Sequence, residues 1–213
     1  MADLTATLNN IEAAYLEWRR ILSAGTKRGQ QESYRLAQQT EYMRAYQNTL
    51  IPGLLQTPGY SEAVLSRSIK FHRIPDDLAE GVAKRMERQS ILYRGNRRFH
   101  IIIGEQVLYN NVGGSDVMDG QLDRIFVATS IPSLLLGILP LQAALPMQLT
   151  NFVMFDNRMV TVESIAAELT ITQPREIALY SRTFDTLASQ SVTGDSARAL
   201  IRKALETRST GLR

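Results

Sequence analysis

The stretch Phe99-His100-Ile101-Ile102-Ile103-Gly104 restricts the fold more than any other. Phe99, Ile101 and Ile103 alternate with His100, Ile102 and Gly104, which is the two-residue period of a strand. Apolar residues fall on both sides of that alternation, and such a strand is covered on both faces. A sheet with packing layers on either side is therefore expected near the middle of the chain.

Helical patterns precede this strand. Leu4, Leu8, Ile11, Tyr15, Trp18 and Leu22 recur at steps of four and three behind a capping Asp3, as on a helix with one apolar seam. A second helix is expected over about Gln30 to Thr49, with Tyr34, Ala37, Glu41, Tyr42, Ala45 and Tyr46 near one stripe, ended by Ile51-Pro52-Gly53. Two more are expected over about Tyr60 to Phe71 and Asp77 to Tyr93, the latter with Leu78, Val82, Met86, Gln89 and Leu92 or Tyr93 inward. Between the second and third lies Leu54-Leu55-Gln56-Thr57-Pro58-Gly59-Tyr60, whose two leucines should plug into the core and pin the loop.

Behind the strand, Glu105 to Val112 continues it or forms another. Gly113-Gly114 turns the chain, and Ser115 opens a helix to about Ala128. Ser133 to Leu139 reads as an apolar strand closed by Pro140, and residues 140–150 form an unusually apolar loop, as in a lid or partner-facing flap. A hairpin follows over Phe152–Phe155 and Met159–Ile165, with a short strand over Leu169 to Thr172. Helices over about Arg175 to Gln190 and from Asp195 or Ser196 complete the chain, and the tail after Thr207 is expected to fray. The order reads as α+β with a mostly antiparallel sheet of about four to five strands. Residues 1–31 read as an N-terminal connecting helix, 32–207 as a single domain and 208–213 as a tail.

Composition removes several functions. The 213 residues contain no cysteine and two histidines, His72 and His100, so disulfides, thiolate nucleophiles and polyhistidine metal centres are excluded. A net charge of +3 is too small to argue for a nucleic-acid groove. No apolar run reaches the length of about 18 residues that a membrane span needs, so a cytoplasmic protein without a membrane contact is expected. There is no phosphate-binding glycine loop and no Gly-x-Ser-x-Gly elbow.

A few residues can carry chemistry. Glu105 follows an apolar strand, and a carboxylate there needs a partner, whether a structural ion pair or a ligand. Arg88, Arg97 and Arg98 are the available cations, with Arg88 the partner of choice. His100 lies between apolar neighbours, as a hydrogen-bonded structural residue, a general base or a lone axial ligand. Gln56, Gln89 and Tyr109 complete the candidate ligand-binding set with Glu105, Arg88 and His100. No cofactor is expected.

The ten residues Ile51-Pro52-Gly53-Leu54-Leu55-Gln56-Thr57-Pro58-Gly59-Tyr60, preceded by Tyr46-Gln47, resemble the hallmark of a family of actinobacterial regulators. These are antitoxin-like, XRE-type helix-turn-helix proteins with a C-terminal domain of unknown function. Arg88-Gln89 with Leu92, Phe99 to Ile103 leading into Glu105 and Leu108, Val112-Gly113-Gly114 with Val117-Met118 and Gln121-Leu122, Leu139-Pro140, Phe152 with Phe155, and Tyr180, Phe184 and Leu187 extend the resemblance in order over roughly Glu32 to Leu205. Tyr109 and Asn110-Asn111 depart from the basic residue expected after Leu108.

The resemblance implies a regulatory module that senses a small-molecule ligand or a small partner protein, with no DNA-binding domain in this chain and no DNA contact of its own. Two other readings stay open. One is a biosynthetic enzyme for an acid/base-promoted cyclisation or isomerisation on the same scaffold, and the other a module that holds a small adjacent partner. The N-terminal seam adds the expectation of a homodimer.

Overall fold

The computed structural model describes residues 15–17, 23, 25–145 and 149–210. Among them are six α-helices: α1 (Thr26–Gln38), α2 (Pro58–His72), α3 (Leu78–Arg88), α4 (Ser115–Ala128), α5 (Pro174–Gln190) and α6 (Gly194–Thr210). The strands are β1 (Tyr15–Glu17), β2 (Tyr42–Gln47), β3 (Arg98–Gly104), β4 (Leu134–Leu139), β5 (Phe152–Phe155), β6 (Met159–Glu163) and β7 (Ala167–Ile171). They form one sheet in the order β1-β7-β6-β5-β2-β3-β4.

The sheet is mixed, with six strands and the three-residue β1 on its edge, which corrects the expectation of a mostly antiparallel sheet of four to five strands. β2, β3 and β4 run parallel, with Ala45 opposite Ile101 and Ile101 opposite Leu136. β5, β6 and β7 form an antiparallel meander joined to β2. Parallel neighbours need long crossovers, and the helices supply them. α2 and α3 connect β2 to β3, and α4 connects β3 to β4.

The largest revision concerns residues 30–49. They are not one helix: α1 ends at Gln38 and β2 begins at Tyr42. The aromatic and β-compatible run Tyr42-Met43-Arg44-Ala45-Tyr46 becomes a central strand because two neighbours pair with it. Tyr15–Glu17 likewise forms a strand, antiparallel to β7, within the stretch read as a helix; the rest of that apolar seam lies outside the described residues. Glu105–Leu108 is a 3₁₀ turn rather than a strand, and α6 runs to Thr210, beyond the expected fraying point.

Both faces of the sheet are covered, as the Phe99–Gly104 pattern requires. On the first face, Met43, Ala45, Phe99, Ile101, Ile103, Leu136 and Ile138 pack with Leu54, Leu55, Leu122, Ile125 and Ile201. On the second, Tyr46, Ile102, Phe152, Met154 and Val160 pack beneath Ile177, Phe184 and Leu187 of α5. Asp77, just ahead of α3, caps α1 from a distance: its carboxylate accepts from the Thr26 and Lys27 backbone N–H groups, each at 2.8 Å, and from the Thr26 hydroxyl at 2.8 Å. Those donors hold its pKa below the usual range, against the upward push of burial. Among the described residues no helix is long and apolar enough to cross a membrane.

Candidate functional site

The loop that leaves β2 is buried by its side chains and tied by its backbone. Leu54 and Leu55 lie in the core, as the loop reading expected. Pro52 and Gly53 turn the chain into the short 3₁₀ segment Gly53–Leu55. Pro58 occupies the first turn of α2, and the Thr57 hydroxyl accepts from the Tyr60 N–H. Buried backbone groups outside a ladder need partners, and three glutamines provide them. Gln121 of α4 accepts from the Thr57 N–H at 2.7 Å and donates to the Leu55 carbonyl at 2.8 Å. Gln89 donates to the carbonyls of Gly53 at 3.1 Å and Gln56 at 2.7 Å. Gln56 donates to the Ile51 carbonyl at 2.7 Å.

Two arginines meet this loop from α3. Arg85 is buried, and its Nη1 donates to Oε1 of Gln56 at 2.6 Å while its Nε donates to Oε1 of Gln30 at 3.1 Å. Arg88, one turn further on, lies directly over Gly53, where a Cβ would collide with its Nη2. The Arg88 Nε is buried without a hydrogen-bond partner, and Arg88 makes no ion pair with any described residue. Burial lowers both guanidinium pKa values: that of Arg85, with the neighbouring Arg88 charge adding to the effect, to about 9, and that of Arg88 to about 10. Both stay protonated at neutral pH.

The carboxylates of this region come from the antiparallel half. Tyr46 is level with Phe152, Phe152 with Val162, and Val162 with Leu169. Glu163 and Glu168 are therefore at the edge where β2 ends and the Ile51–Tyr60 loop begins. They face each other across β6 and β7, and alternation with the second-face residues Val160 and Val162 puts them on the first face, the side of the loop and α3. Glu163 keeps solvent contact, yet surrounding protein raises its pKa against the pull of Arg85 and Arg88. Glu168 is raised to about 7 by burial and by Glu163.

The expected residues divide into three places. Arg88, Gln89 and Gln56 come together at the loop. Glu105 does not join them: its carboxylate is buried and its Oε2 accepts from the Leu141 N–H at 3.0 Å, so the expected Arg88 partnership is replaced by a tether on the apolar 140–150 loop. The charge that Arg88 feels is that of Glu163. Tyr109 stays near Glu105, and its pKa is raised by burial and by that carboxylate. His100 faces the opposite side of the sheet, edge-on to Phe184 with ring centroids 4.9 Å apart. Burial lowers its pKa, and Arg44, opposite it on β2, lowers it further.

Gln121 entered the sequence reading only as part of the family resemblance, and Arg85, Glu163 and Glu168 were not among the candidate site residues. The inward face of α3 is Gly81, Arg85 and Gln89, at four-residue steps, while Leu78, Val82 and Met86 are only half-buried. The glycine in that row was the available signal, since it admits Thr26 of α1 against the helix.

Residues 30–203 match the family model described as a domain of unknown function, DUF5753, and the chain belongs to that family. No curated protein matches its sequence. Among solved structures, TrmBL2, an archaeal chromatin protein, is similar with 11% identity and a TM-score of 0.42, over 91% of this chain and 62% of that one. This chain thus spans less than two thirds of TrmBL2. NucT from Helicobacter pylori is similar with 13% identity and a TM-score of 0.42, over 79% of this chain and 92% of that one.

Proposed function

We propose that this domain is the ligand-sensing module of an XRE-type transcriptional regulator, and that its effector is a small molecule with an anionic group. The observation that carries the proposal is Arg88: a protonated guanidinium with a buried, unpartnered Nε, placed over the glycine of the Ile51–Tyr60 loop. A buried N–H left without a hydrogen-bond partner costs about 1–3 kcal/mol. A protein retains one where a ligand completes it. The position supports this too, because ligands of sheets with parallel strands bind beyond the strands' carboxyl ends. The loop leaves β2 at such an end.

The resemblance to XRE-type regulators supplies the regulatory half of the proposal. A second reading is favoured by one observation. Glu168, with a pKa near 7 beside Glu163, suits acid/base transfer, as in an enzyme on the same scaffold.

Native mass spectrometry of protein purified from an actinobacterial host tests the proposal. The wild type should carry a small-molecule adduct that Arg88→Gln loses while its circular dichroism stays unchanged. Absence of any adduct from the wild type, or its retention by Arg88→Gln, would overturn the assignment.

A further inference from the structure

Asp77, Gly81, Arg85 and Gln89 follow one another at four-residue steps along one side of α3 and its flanks, and this row holds two separate segments. The first three members hold α1. Asp77 caps Thr26 and Lys27, Gly81 leaves room for Thr26, and Arg85 donates from Nε to Oε1 of Gln30 at 3.1 Å. The last two hold the Ile51–Tyr60 loop. Arg85 donates from Nη1 to Oε1 of Gln56, and Gln89 donates to the carbonyls of Gly53 and Gln56. In that row Arg85 is bonded to both segments, and it is buried.

The first half of α1 depends on these bonds. Residues 26–33 read Thr-Lys-Arg-Gly-Gln-Gln-Glu-Ser, with no aliphatic or aromatic side chain. Such a stretch gains little from apolar burial, and segments of that kind open at low free-energy cost. Tyr34 and Ala37, further along, pack with the first core. Among the described residues, the hydrogen bonds that fasten residues 26–33 to the rest of the domain are those of Asp77 and Arg85. Apolar contact is non-directional, whereas a hydrogen bond weakens steeply with distance and angle. The seating of α1 is therefore sensitive to where the Arg85 guanidinium stands.

That position is shared with Gln56, and Gln56 is set by the loop. Its Nε2 donates to the Ile51 carbonyl at 2.7 Å, and its Oε1 also accepts from the Ser61 hydroxyl at 3.0 Å. The guanidinium is planar and rigid. A shift of the loop that carries Oε1 with it turns the whole group and strains the bond to Gln30.

We infer that Arg85 links the Ile51–Tyr60 loop to α1, so that the seating of α1 reports the state of the loop. This link belongs to the empty fold and needs no ligand. One consequence rests on the anion-sensing reading: the link then gives the sensor its output. An anion drawn to Arg88 acts over Gly53, and a Cβ on Gly53 would also lie 3.6 Å from the Arg85 Nε.

Amide hydrogen exchange of the full chain without ligand, resolved to single residues, tests the link. Gln56→Leu and Gln121→Leu both remove side-chain bonds of the loop, but only Gln56 is bonded to Arg85. Both variants should speed exchange at Leu55, whose N–H donates to the Pro52 carbonyl at 2.8 Å. Gln56→Leu should also speed exchange at residues 30–34 by about tenfold, the effect of one hydrogen bond lost from a local opening. Gln121→Leu should leave them at the wild-type rate. Coupling is reciprocal, so Gln30→Ala, a mild change at a half-buried helix position, should speed exchange at Leu55 while β3 keeps its protection. Residues 30–34 responding alike to both loop variants, or to neither, would overturn the link, and so would a Leu55 rate indifferent to Gln30→Ala. If Gln56→Leu fails to fold, the Gln30→Ala result decides alone. The small-molecule adduct and its loss in Arg88→Gln are read separately, so the link can fail while the anion site stands, and the reverse.

Discussion

Arg85 and Gln56 are joined by a hydrogen bond of 2.6 Å, from Nη1 to Oε1, across 29 residues of chain. The same Oε1 accepts from the Ser61 hydroxyl at 3.0 Å, so one amide fastens α3, α2 and the Ile51–Tyr60 loop together. Arg88, a helical turn away, makes no such bond. Two neighbouring arginines thus differ in kind: Arg85 is bonded to the loop, and Arg88 lies over its glycine with Nε unpartnered.

Arg85→Met should therefore destabilise the domain. It removes a charge-assisted hydrogen bond and leaves Gln30 without its donor, a loss of about 1–3 kcal/mol. Urea denaturation followed by circular dichroism reads this directly. A change under about half a kcal/mol, the range of surface substitutions, would mean that the bond does not support the loop.

The loop's leucines should behave as core residues. Leu55 is fully buried, and Leu55→Ala should cost about 2–5 kcal/mol. Denaturant midpoints and slopes give the value.

The tether at Glu105 predicts a local effect. Glu105→Ala removes the acceptor of the Leu141 N–H and should raise the amide exchange rate at Leu141 without changing exchange in β3. By contrast, a double-mutant cycle of Glu105→Gln with Arg88→Leu should show no coupling. A coupling above about 0.5 kcal/mol would restore the ion pair expected from sequence.

Glu168 predicts a pH dependence. Its pKa in the folded domain is near 7, above the ordinary 4.5, so the folded state holds the proton more tightly than the unfolded one. Stability from this group is full below about 4.5 and is lost as pH rises towards 7. His100 works oppositely: its lowered folded pKa makes stability rise with pH through the ordinary histidine range. Comparing melting temperatures of wild type and Glu168→Gln across this window separates the two. The wild type should lose stability relative to the variant as pH rises, and a constant difference would contradict the assignment.

Much of the fold was legible where pattern and burial agree. The strand Phe99–Ile103, the helix from Ser115 and the hairpin at Asp156-Asn157 followed from local period and turn chemistry. Tyr42–Gln47 did not, because a strand between two partners needs no alternation of its own and its flanking residues continue the texture of α1. The parallel pairing of β2 with β3 lies in long-range packing that no window of residues contains. Half of the site was legible for a similar reason. Arg88, Gln89 and Gln56 belong to one loop and one helix end. Glu163 and Glu168 reach the same end of the sheet only through register, and in the sequence an acidic hairpin edge looks like an ordinary solvated turn.

The most direct test of Arg88 as a ligand contact is the stability of Arg88→Met in the absence of ligand. An arginine whose buried Nε waits for a ligand contributes no bond to the empty fold and carries the desolvation cost of that N–H. In urea denaturation Arg88→Met should be as stable as the wild type or more so, while its small-molecule adduct disappears. A loss of about 3 kcal/mol, the scale for breaking a buried ion pair, would contradict it and make Arg88 a structural residue.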